Sequence, residues 1–213
     1  MPELTGRVRI IILRYGGKWM KGLYCLVGIG LLLFAWCGPK TGPKPESSLP
    51  VKPATVEKPK AVMVLSSPAF EQGKEISKRY TGDGEDVSPA LAWEGVPEGT
   101  KSFALICSDP DAPFGTFIHW VIYNIPPATR ALAEGIPKEA ELADGTRQGV
   151  NGFKRIGYNG PNPPPGKSHR YFFRLYALDT VLNLEPGASA GKLQEAMAGH
   201  ILGEAELMGV YGR

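Results

Sequence analysis

Two carboxylates are spaced so that they could act together in the middle of the sequence. Asp109 and Asp111 follow an apolar run, and Pro110 and Pro113 restrict the backbone around them. In an extended chain both side chains point the same way, so the pair could hold or orient a polar group. Taken alone, however, the segment is more typical of a turn.

The three histidines differ in their sequence surroundings. His119 lies inside an apolar segment, where a single histidine is more often a core residue than a ligand-binding one. His169 follows the Gly- and Pro-rich segment 160–168, and it shares one strand face with Tyr171. A histidine and a tyrosine next to apolar side chains at a strand end predict a small polar pocket with an apolar floor. His200 is expected to be a solvated surface residue.

Four apolar runs predict the strands that position these side chains. The runs are rich in β-branched and aromatic residues and are separated by Gly and Pro; they are 61–65, 101–107, 116–124 and 170–178. The third is apolar on both faces, which predicts a central strand covered on both sides. Near the C terminus Leu193, Met197 and Ile201 share one helical face, and 202–207 is compatible with a second helix. Strands followed by helices predict a mainly β fold, a β-sandwich with short C-terminal helices.

The charge of the chain is unevenly distributed. The 213 residues carry a net charge of +3, but segments 1–21 and 37–60 are basic. Residues 61–213 hold 14 of the 24 Lys and Arg residues and 18 of the 21 Asp and Glu residues, a net charge of −4. General nucleic-acid binding needs a concentrated basic surface, so we expect no nucleic-acid partner.

The first 36 residues predict an export segment. Basic residues precede an uncharged apolar stretch, 22–36, which is followed by a polar, Pro-rich segment. This order is typical of a secretory signal. The apolar stretch is short for a membrane span, so a cleaved signal is favoured over an uncleaved anchor. Met20, followed by a lysine, is an alternative start for a compact signal.

Cys37 ends the apolar stretch and resembles the lipidated cysteine of bacterial lipoproteins. Trp36 stands where a small residue is usual, and a chance cysteine is the alternative. Residues 37–60 contain six prolines and predict an extended linker. We therefore expect an exported, periplasmic lipoprotein tethered to the membrane by its N-terminal lipid or signal anchor. The domain proper is predicted to span 61–213.

Several separated motifs occur in a distinctive order in this domain. They are Val87-Ser-Pro-Ala-Leu-Ala-Trp93, Asp109-Pro-Asp-Ala-Pro113 with Gly115 and His119-Trp120, the segment 157–165, and His169-Arg-Tyr171. In this order and spacing they resemble the phosphatidylethanolamine-binding protein family, specifically its bacterial Raf kinase inhibitor-like branch. The resemblance runs from about Val62 to Tyr211.

The resemblance implies two antiparallel sheets, C-terminal helices near a pocket, and an anion site for phosphate or a phospholipid headgroup. By motif position the site residues would be Asp109, Asp111, His119, Gly160, Pro161, His169 and Tyr171. The sequence departs from the family pattern at two positions. Asn162 stands where bacterial relatives often have Cys, and Lys154 stands where Gly is usual.

A phosphate needs several hydrogen-bond donors at fixed positions. The two histidines, the tyrosine hydroxyl and the backbone N–H of Gly160 could supply them. Asp109 and Asp111 would accept hydrogen bonds from the imidazoles, orient them and favour their charged forms, and one of them could receive an ammonium group. We also expect a cis peptide bond at Ala112–Pro113, because tight functional loops use it.

The function favoured by these features is a non-catalytic binding module. Its ligand would be a small phosphorylated molecule or a lipid headgroup, it could regulate a partner enzyme, and neither cofactor nor metal is expected. Two hydrolase alternatives stay open: a metal-dependent enzyme using the His and Asp side chains, and a serine hydrolase using Ser108 or Ser168. Neither Ser108 nor Ser168 lies in the Gly-x-Ser-x-Gly pattern that commonly presents a nucleophilic serine.

Overall fold

The computed structural model describes residues 62–213. The export segment, Cys37 and the linker 37–60 lie outside the described residues. The strands are β1 Val64–Ser66, β2 Leu91–Glu94, β3 Ser102–Asp109, β4 Phe117–Ile125, β5 Ala131–Leu132, β6 Arg147–Val150, β7 His169–Leu178, β8 Gly187–Ser189 and β9 Ile201–Tyr211. A 3-10 turn covers Lys78–Tyr80, and the α-helix α1 covers Ala190–Met197.

The strands form two sheets that face each other. The small sheet has the order β1-β2-β5, and the large sheet has the order β8-β6-β4-β3-β7-β9. All pairs are antiparallel except β6 with β8. The predicted two-sheet sandwich is therefore confirmed, and each of the four predicted strands is present with bounds shifted by a few residues.

The core lies on both faces of the large sheet, because its central strands are apolar on both sides. Between the sheets, Leu65 and Trp93 of the small sheet pack with Phe103, Trp120 and other side chains of the large sheet. On the outer face, α1 covers Ile106, Val121 and Tyr123 with Leu193 and Met197. β3 is buried along its whole length. This burial on both sides fixes the position of the strand that ends at Asp109.

The C terminus differs from the prediction, because 202–207 belongs to β9 and not to a second helix. Ala205, Leu207 and Tyr211 are buried at alternate positions, as a strand requires. β9 pairs with β7 along the whole of that strand, which satisfies its backbone on one side. A Cβ at Gly209 would collide with Ile76, so this position needs glycine for close packing. Among residues 62–213 no helix is long and apolar enough to cross a membrane.

The loop after β3 turns without a cis peptide bond. None occurs among the described residues, so the prediction of a cis Ala112–Pro113 bond is wrong. The turn is made instead by Gly115, whose φ of 103° lies in the region that favours glycine. Its N–H donates to the carbonyl of Ala112 at 3.2 Å.

Candidate functional site

The candidate site lies where three neighbouring strands of the large sheet have their ends. β3 runs between β4 and β7 and is antiparallel to both, so the end of β3 lies beside the beginnings of the other two. Asp109 is the last residue of β3, His119 is the third of β4, and His169 is the first of β7. The sheet register thus brings together side chains that are up to 60 residues apart in sequence.

A cavity of about 280 Å³ opens at this point. Four of the seven predicted site residues line it: Asp109, His119, His169 and Tyr171. The rest of the lining is mainly apolar or aromatic and includes Pro113, Phe114, Phe117, Phe153, Pro163 and Pro164. The predicted pocket therefore exists, with its polar groups at buried positions and aromatic side chains around them.

His169 is held by the carboxylate of Asp109. The distance from His169 Nδ1 to Asp109 Oδ2 is 2.8 Å, and both side chains are buried. The other carboxylate oxygen of Asp109 accepts the backbone N–H of Asp111 at 2.8 Å. Because Nδ1 donates to Asp109, Nε2 is the ring nitrogen that His169 can offer to a ligand. This hydrogen bond is the one that an orienting role of Asp109 requires.

His119 is held by a backbone carbonyl in aromatic surroundings. Its Nδ1 lies 2.7 Å from the carbonyl oxygen of Asn159, so Nδ1 carries the proton and Nε2 remains for a ligand. The rings of Phe117, Phe153 and Tyr171 lie around the imidazole, with centroids 5.2, 5.7 and 5.2 Å from its own. Burial lowers the pKa of His119. The prediction that both histidines are favoured in their charged forms is therefore wrong for His119.

The hydroxyl of Tyr171 is buried and has no hydrogen-bond partner among residues 62–213. Burial, together with the negative charge of Asp109, raises the pKa of Tyr171. The group is therefore a neutral O–H donor. Its ring lines the cavity, so a ligand there could accept this hydrogen bond.

Asp111 does not line the cavity, contrary to the prediction. Its carboxylate accepts three hydrogen bonds from Arg170, two from the guanidinium at 2.8 Å each and one from the backbone N–H at 3.0 Å. The guanidinium holds the pKa of Asp111 far below its usual range. Asp111 and Asp109 point to different partners, because the turn at Pro110 ends the extended conformation on which the prediction rested. Asp111 instead fastens the loop 110–116 to β7.

Gly160 and Pro161 also lie outside the cavity lining. The N–H of Gly160 donates to Asp86 Oδ1 at 2.6 Å and is not free for a ligand. A Cβ at this position would collide with the carbonyl of Tyr80, so glycine is needed for packing. The carbonyl of Pro161 accepts the N–H of Gly82. The rim is formed one step further along the chain, by residues 162–164.

Asp86 was missed by the sequence analysis although it holds the His119 side of the site. Besides the N–H of Gly160, it accepts the side chains of Asn159 at 2.6 Å and Lys138 at 2.7 Å. Burial alone would raise the pKa of Asp86, but these hydrogen bonds outweigh it and lower the pKa. Asp86 lies more than 70 residues before Gly160, in a segment typical of turns, so no local signal marks it.

Phe153 was also missed, and its position depends on an unusual neighbour. Lys154 has a φ of 63°, a conformation that glycine adopts more readily. The side chain of Asn151 accepts the N–H groups of Phe153 and Arg155 and stabilises this turn. A Cβ at Gly152 would collide with the ring of Phe117, so this glycine allows the aromatic rings to pack.

Neither hydrolase alternative gains support from the arrangement. Within residues 62–213 no three His, Cys, Asp or Glu side chains are grouped so that they could hold a metal ion. Ser108 and Ser168 do not line the cavity. The hydroxyl of Ser108 contacts Arg174 at 3.4 Å, and Ser168 is exposed.

Comparisons with known proteins agree with this fold. Residues 66–212 match the family model described as phosphatidylethanolamine-binding protein. A UPF0098 protein of Methanothermobacter thermautotrophicus is 57% identical over 151 residues, which cover 71% of this chain and 99% of the relative. A UPF0098 protein of Aquifex aeolicus is 53% identical, with 72% and 90% covered.

Two solved structures are similar to the domain. A phosphatidylethanolamine-binding protein homologue from Chlamydia trachomatis is 43% identical with a TM-score of 0.66, and YbcL of E. coli is 32% identical with a TM-score of 0.65. In each comparison 72% of this chain and 99% of the other are covered, so the domain corresponds to a free-standing chain in both relatives. The chain therefore belongs to the phosphatidylethanolamine-binding protein family.

Proposed function

We propose that residues 62–213 form a non-catalytic binding module that holds the phosphate group of a small phosphorylated ligand or lipid headgroup. The observation that carries this proposal is the convergence of three buried groups on one cavity. Each has one hydrogen-bonding atom left for a ligand: Nε2 of His169, Nε2 of His119 and the hydroxyl of Tyr171.

The cavity suits a ligand with one polar end. Its volume of about 280 Å³ is near the lower bound of small-molecule sites. The polar groups are the buried ones, whereas Phe114 and Phe153 on the rim are exposed. A phosphate at the buried end would receive hydrogen bonds from His169 and Tyr171, and an organic substituent would extend past the aromatic rim.

The side chains that line the cavity favour binding over turnover. Asp109 orients His169, which would serve a general base as well as a ligand-binding imidazole, so the distinction depends on the nucleophile. No serine or cysteine lines the cavity among the described residues. A covalent mechanism through a serine or cysteine therefore gains no support from this lining.

Calorimetry with phosphoethanolamine and inorganic phosphate tests the proposal. A charge-assisted hydrogen bond contributes about 1.5–3 kcal/mol, so His169→Ala should weaken binding by roughly ten- to a hundredfold. His200→Ala is the matched control, because His200 also pairs with a carboxylate, Asp179 at 2.7 Å, but does so on the surface. Equal affinities of His169→Ala and the wild type would place the ligand elsewhere. Release of phosphate that is abolished by His169→Ala would make the site catalytic.

The cellular location is proposed from the sequence alone. The order of basic, apolar and Pro-rich segments supports export, and Cys37 at the end of the apolar stretch supports lipidation and a membrane tether. Metabolic labelling with a fatty acid should mark the full chain but not Cys37→Ala. Equal labelling of the two proteins would show that Cys37 is not the lipidated residue.

A further inference from the structure

We infer that the ligand of the phosphate site carries a second anionic group, a carboxylate, which Arg155 and Asn162 bind in a neighbouring cavity. This second cavity has a volume of about 150 Å³ and is lined by Asp86, Phe153, Arg155, Asn159 and Asn162 together with two glycines. The inference rests on the proposed function, because it takes the phosphate of the same ligand to lie between the two histidines.

The second cavity shares a wall with the phosphate site. Phe153 and Asn162 line both cavities. Asn159 connects them as well, because its carbonyl oxygen lies 2.7 Å from Nδ1 of His119 while the same residue lines the second cavity. A small molecule whose phosphate lies beside His119 can therefore place a substituent in the second cavity.

Arg155 supplies the charge that is available in the second cavity. Its side chain is exposed, and among residues 62–213 its guanidinium makes no ion pair and no hydrogen bond. The side-chain amide of Asn162 is also exposed and has no hydrogen-bond partner in this part of the chain. A guanidinium presents its N–H groups in a planar fork that matches a carboxylate, and the amide adds further donors. These two side chains are therefore suited to bind a carboxylate.

Asp86 is the acidic residue of the second cavity, but its charge is already balanced. Its carboxylate accepts hydrogen bonds from the N–H of Gly160 at 2.6 Å, the side chain of Asn159 at 2.6 Å and the ammonium group of Lys138 at 2.7 Å. Both carboxylate oxygens are thus engaged, and Lys138 compensates the negative charge. The positive charge of Arg155 remains without a counterpart, which assigns the second cavity to an anion and not to an ammonium group.

The backbone around the second cavity is fixed before a ligand binds. The N–H of Arg155 donates to the side chain of Asn151 at 3.2 Å, and the carbonyl of Arg155 accepts the N–H of Asn151 at 2.9 Å. On the other side, the N–H of Gly82 donates to the carbonyl of Pro161 at 2.8 Å, and a Cβ at Gly82 would come within 3.1 Å of the Cβ of Asn162. Only side chains need to be ordered by the ligand, which lowers the cost of binding.

Calorimetry with O-phosphoserine and phosphoethanolamine tests the inference, because the two ligands differ only in a carboxylate. We expect the wild type to bind O-phosphoserine roughly five- to tenfold more tightly than phosphoethanolamine. Arg155→Gln should abolish this preference, because it removes the charge that binds the carboxylate. The same substitution should leave the affinity for phosphoethanolamine within about twofold of the wild type, because an exposed charge acts weakly on a group that it does not contact.

Lys154→Gly is the matched control for Arg155→Gln. Lys154 is the neighbouring exposed cation and lines neither cavity. Its φ of 63° is accepted by glycine, so the substitution removes one positive charge without strain in the backbone. The preference for O-phosphoserine should persist in Lys154→Gly. An equal loss of preference in both variants would mean that the general positive field, and not Arg155, selects the carboxylate, and would overturn the inference.

His169→Ala separates this inference from the proposed function. It removes a group that faces the phosphate, so it should weaken both ligands by the same factor and leave their ratio unchanged. If the wild type binds the two ligands equally, or binds phosphoethanolamine more tightly, the second anionic group is wrong while the phosphate site stands. If neither ligand binds to the wild type, both the phosphate site and the inference built on it are wrong.

Discussion

The two histidines of the cavity are similarly buried, with 3% of His119 and 7% of His169 exposed, but their partners differ. His169 donates to a carboxylate, which can balance a positive charge on the ring. His119 donates to a neutral carbonyl among three aromatic rings, and burial lowers its pKa. His169 is therefore suited to donate a hydrogen bond to a ligand, whereas His119 is suited to accept one.

This difference bears on the kind of anion that fits. A phosphate monoester carrying one proton can donate its hydroxyl to Nε2 of His119 and accept hydrogen bonds from His169 and Tyr171. Two charged imidazoles would instead favour a dianion. The comparison thus refines the sequence-based hypothesis, in which both rings were donors.

The largest expected effect is the loss of folding stability in Asp86→Ala. This substitution removes the support of His119 and leaves that of His169 in place. The substitution leaves the buried N–H of Gly160 and the side-chain amide of Asn159 without their acceptor. Unfolding by denaturant should show a loss of about 2–4 kcal/mol, with weaker phosphate binding because the Asn159 carbonyl no longer fixes His119. Asp83→Ala removes an equally exposed carboxylate that accepts from the side chains of Tyr211 and Arg213 and from no backbone N–H; it is the control and should cost less. Equal losses would mean that Asp86 has no special role.

The lowered pKa of Asp86 adds a dependence of stability on pH. Its ionised form is favoured in the folded state, so its contribution is fully present above the unfolded pKa of about 4. The contribution is lost as the pH falls through the folded pKa. Wild type should therefore lose more stability than Asp86→Ala on acidification below about pH 4.

The pH dependence of phosphoethanolamine binding tests whether His119 accepts a hydrogen bond from the phosphate. The complex holds one proton between the phosphate and Nε2 of His119, whereas above about pH 7 the free ligand is mostly a dianion and His119 is neutral. Binding then takes up at least one proton, so affinity should fall at least about tenfold per pH unit above that point. Affinity that stays constant from about pH 6.5 to 8.5 would contradict the shared proton.

A phosphodiester provides the matched ligand for this test. Dimethyl phosphate has no second ionisation in this range, so Nε2 of His119 must itself be protonated to donate to it. Because the pKa of His119 is lowered, diester binding should continue to strengthen on acidification after monoester binding has levelled off. Identical pH profiles for the two ligands would show that His119 does not discriminate between them.

Asp109→Asn weakens the support of His169 but leaves both imidazole rings of the cavity in place. The amide oxygen can still accept the N–H of His169, but it no longer balances a positive charge. We expect a loss of affinity of about fivefold, smaller than that of His169→Ala, because Asp109 acts through the imidazole. A loss as large as that of His169→Ala would indicate direct contact between Asp109 and the ligand.

Tyr171→Phe should have the smallest effect, with opposite signs on stability and binding. Removing a buried hydroxyl that has no partner should stabilise the unliganded domain by up to about 1 kcal/mol. The same substitution removes one donor to the phosphate and should weaken binding several-fold. Loss of stability in Tyr171→Phe would mean that the hydroxyl already has a partner in the free protein.

The His169 side could be predicted from sequence because its parts are marked locally. Asp109 and His169 lie at the ends of long apolar runs, and antiparallel pairing of such runs brings their ends together. The His119 side could not, since Asp86, Asn151 and Asn159 come from turns whose hydrogen bonds depend on tertiary structure. For the same reason the sequence motif indicates Gly160 as a ligand donor, although its N–H donates to Asp86.

The C-terminal error has a different origin. Apolar residues near 202–207 are compatible with a helical period as well as with alternation, and the pairing of β9 with β7 decides between them. The earlier strands have no such ambiguity, because β-branched and aromatic residues dominate them. Local patterns therefore sufficed for the sheet centre and failed at its edge.

The most direct test of the phosphate site is NMR of the histidine side-chain nitrogens with and without phosphoethanolamine. In the free domain near pH 7, His119 should carry its proton on Nδ1, with Nε2 unprotonated. On ligand addition the Nε2 signals of both His119 and His169 should shift, whereas those of His200 should not. If neither cavity histidine shifts at saturating phosphoethanolamine, the phosphate does not bind between them and the account is wrong.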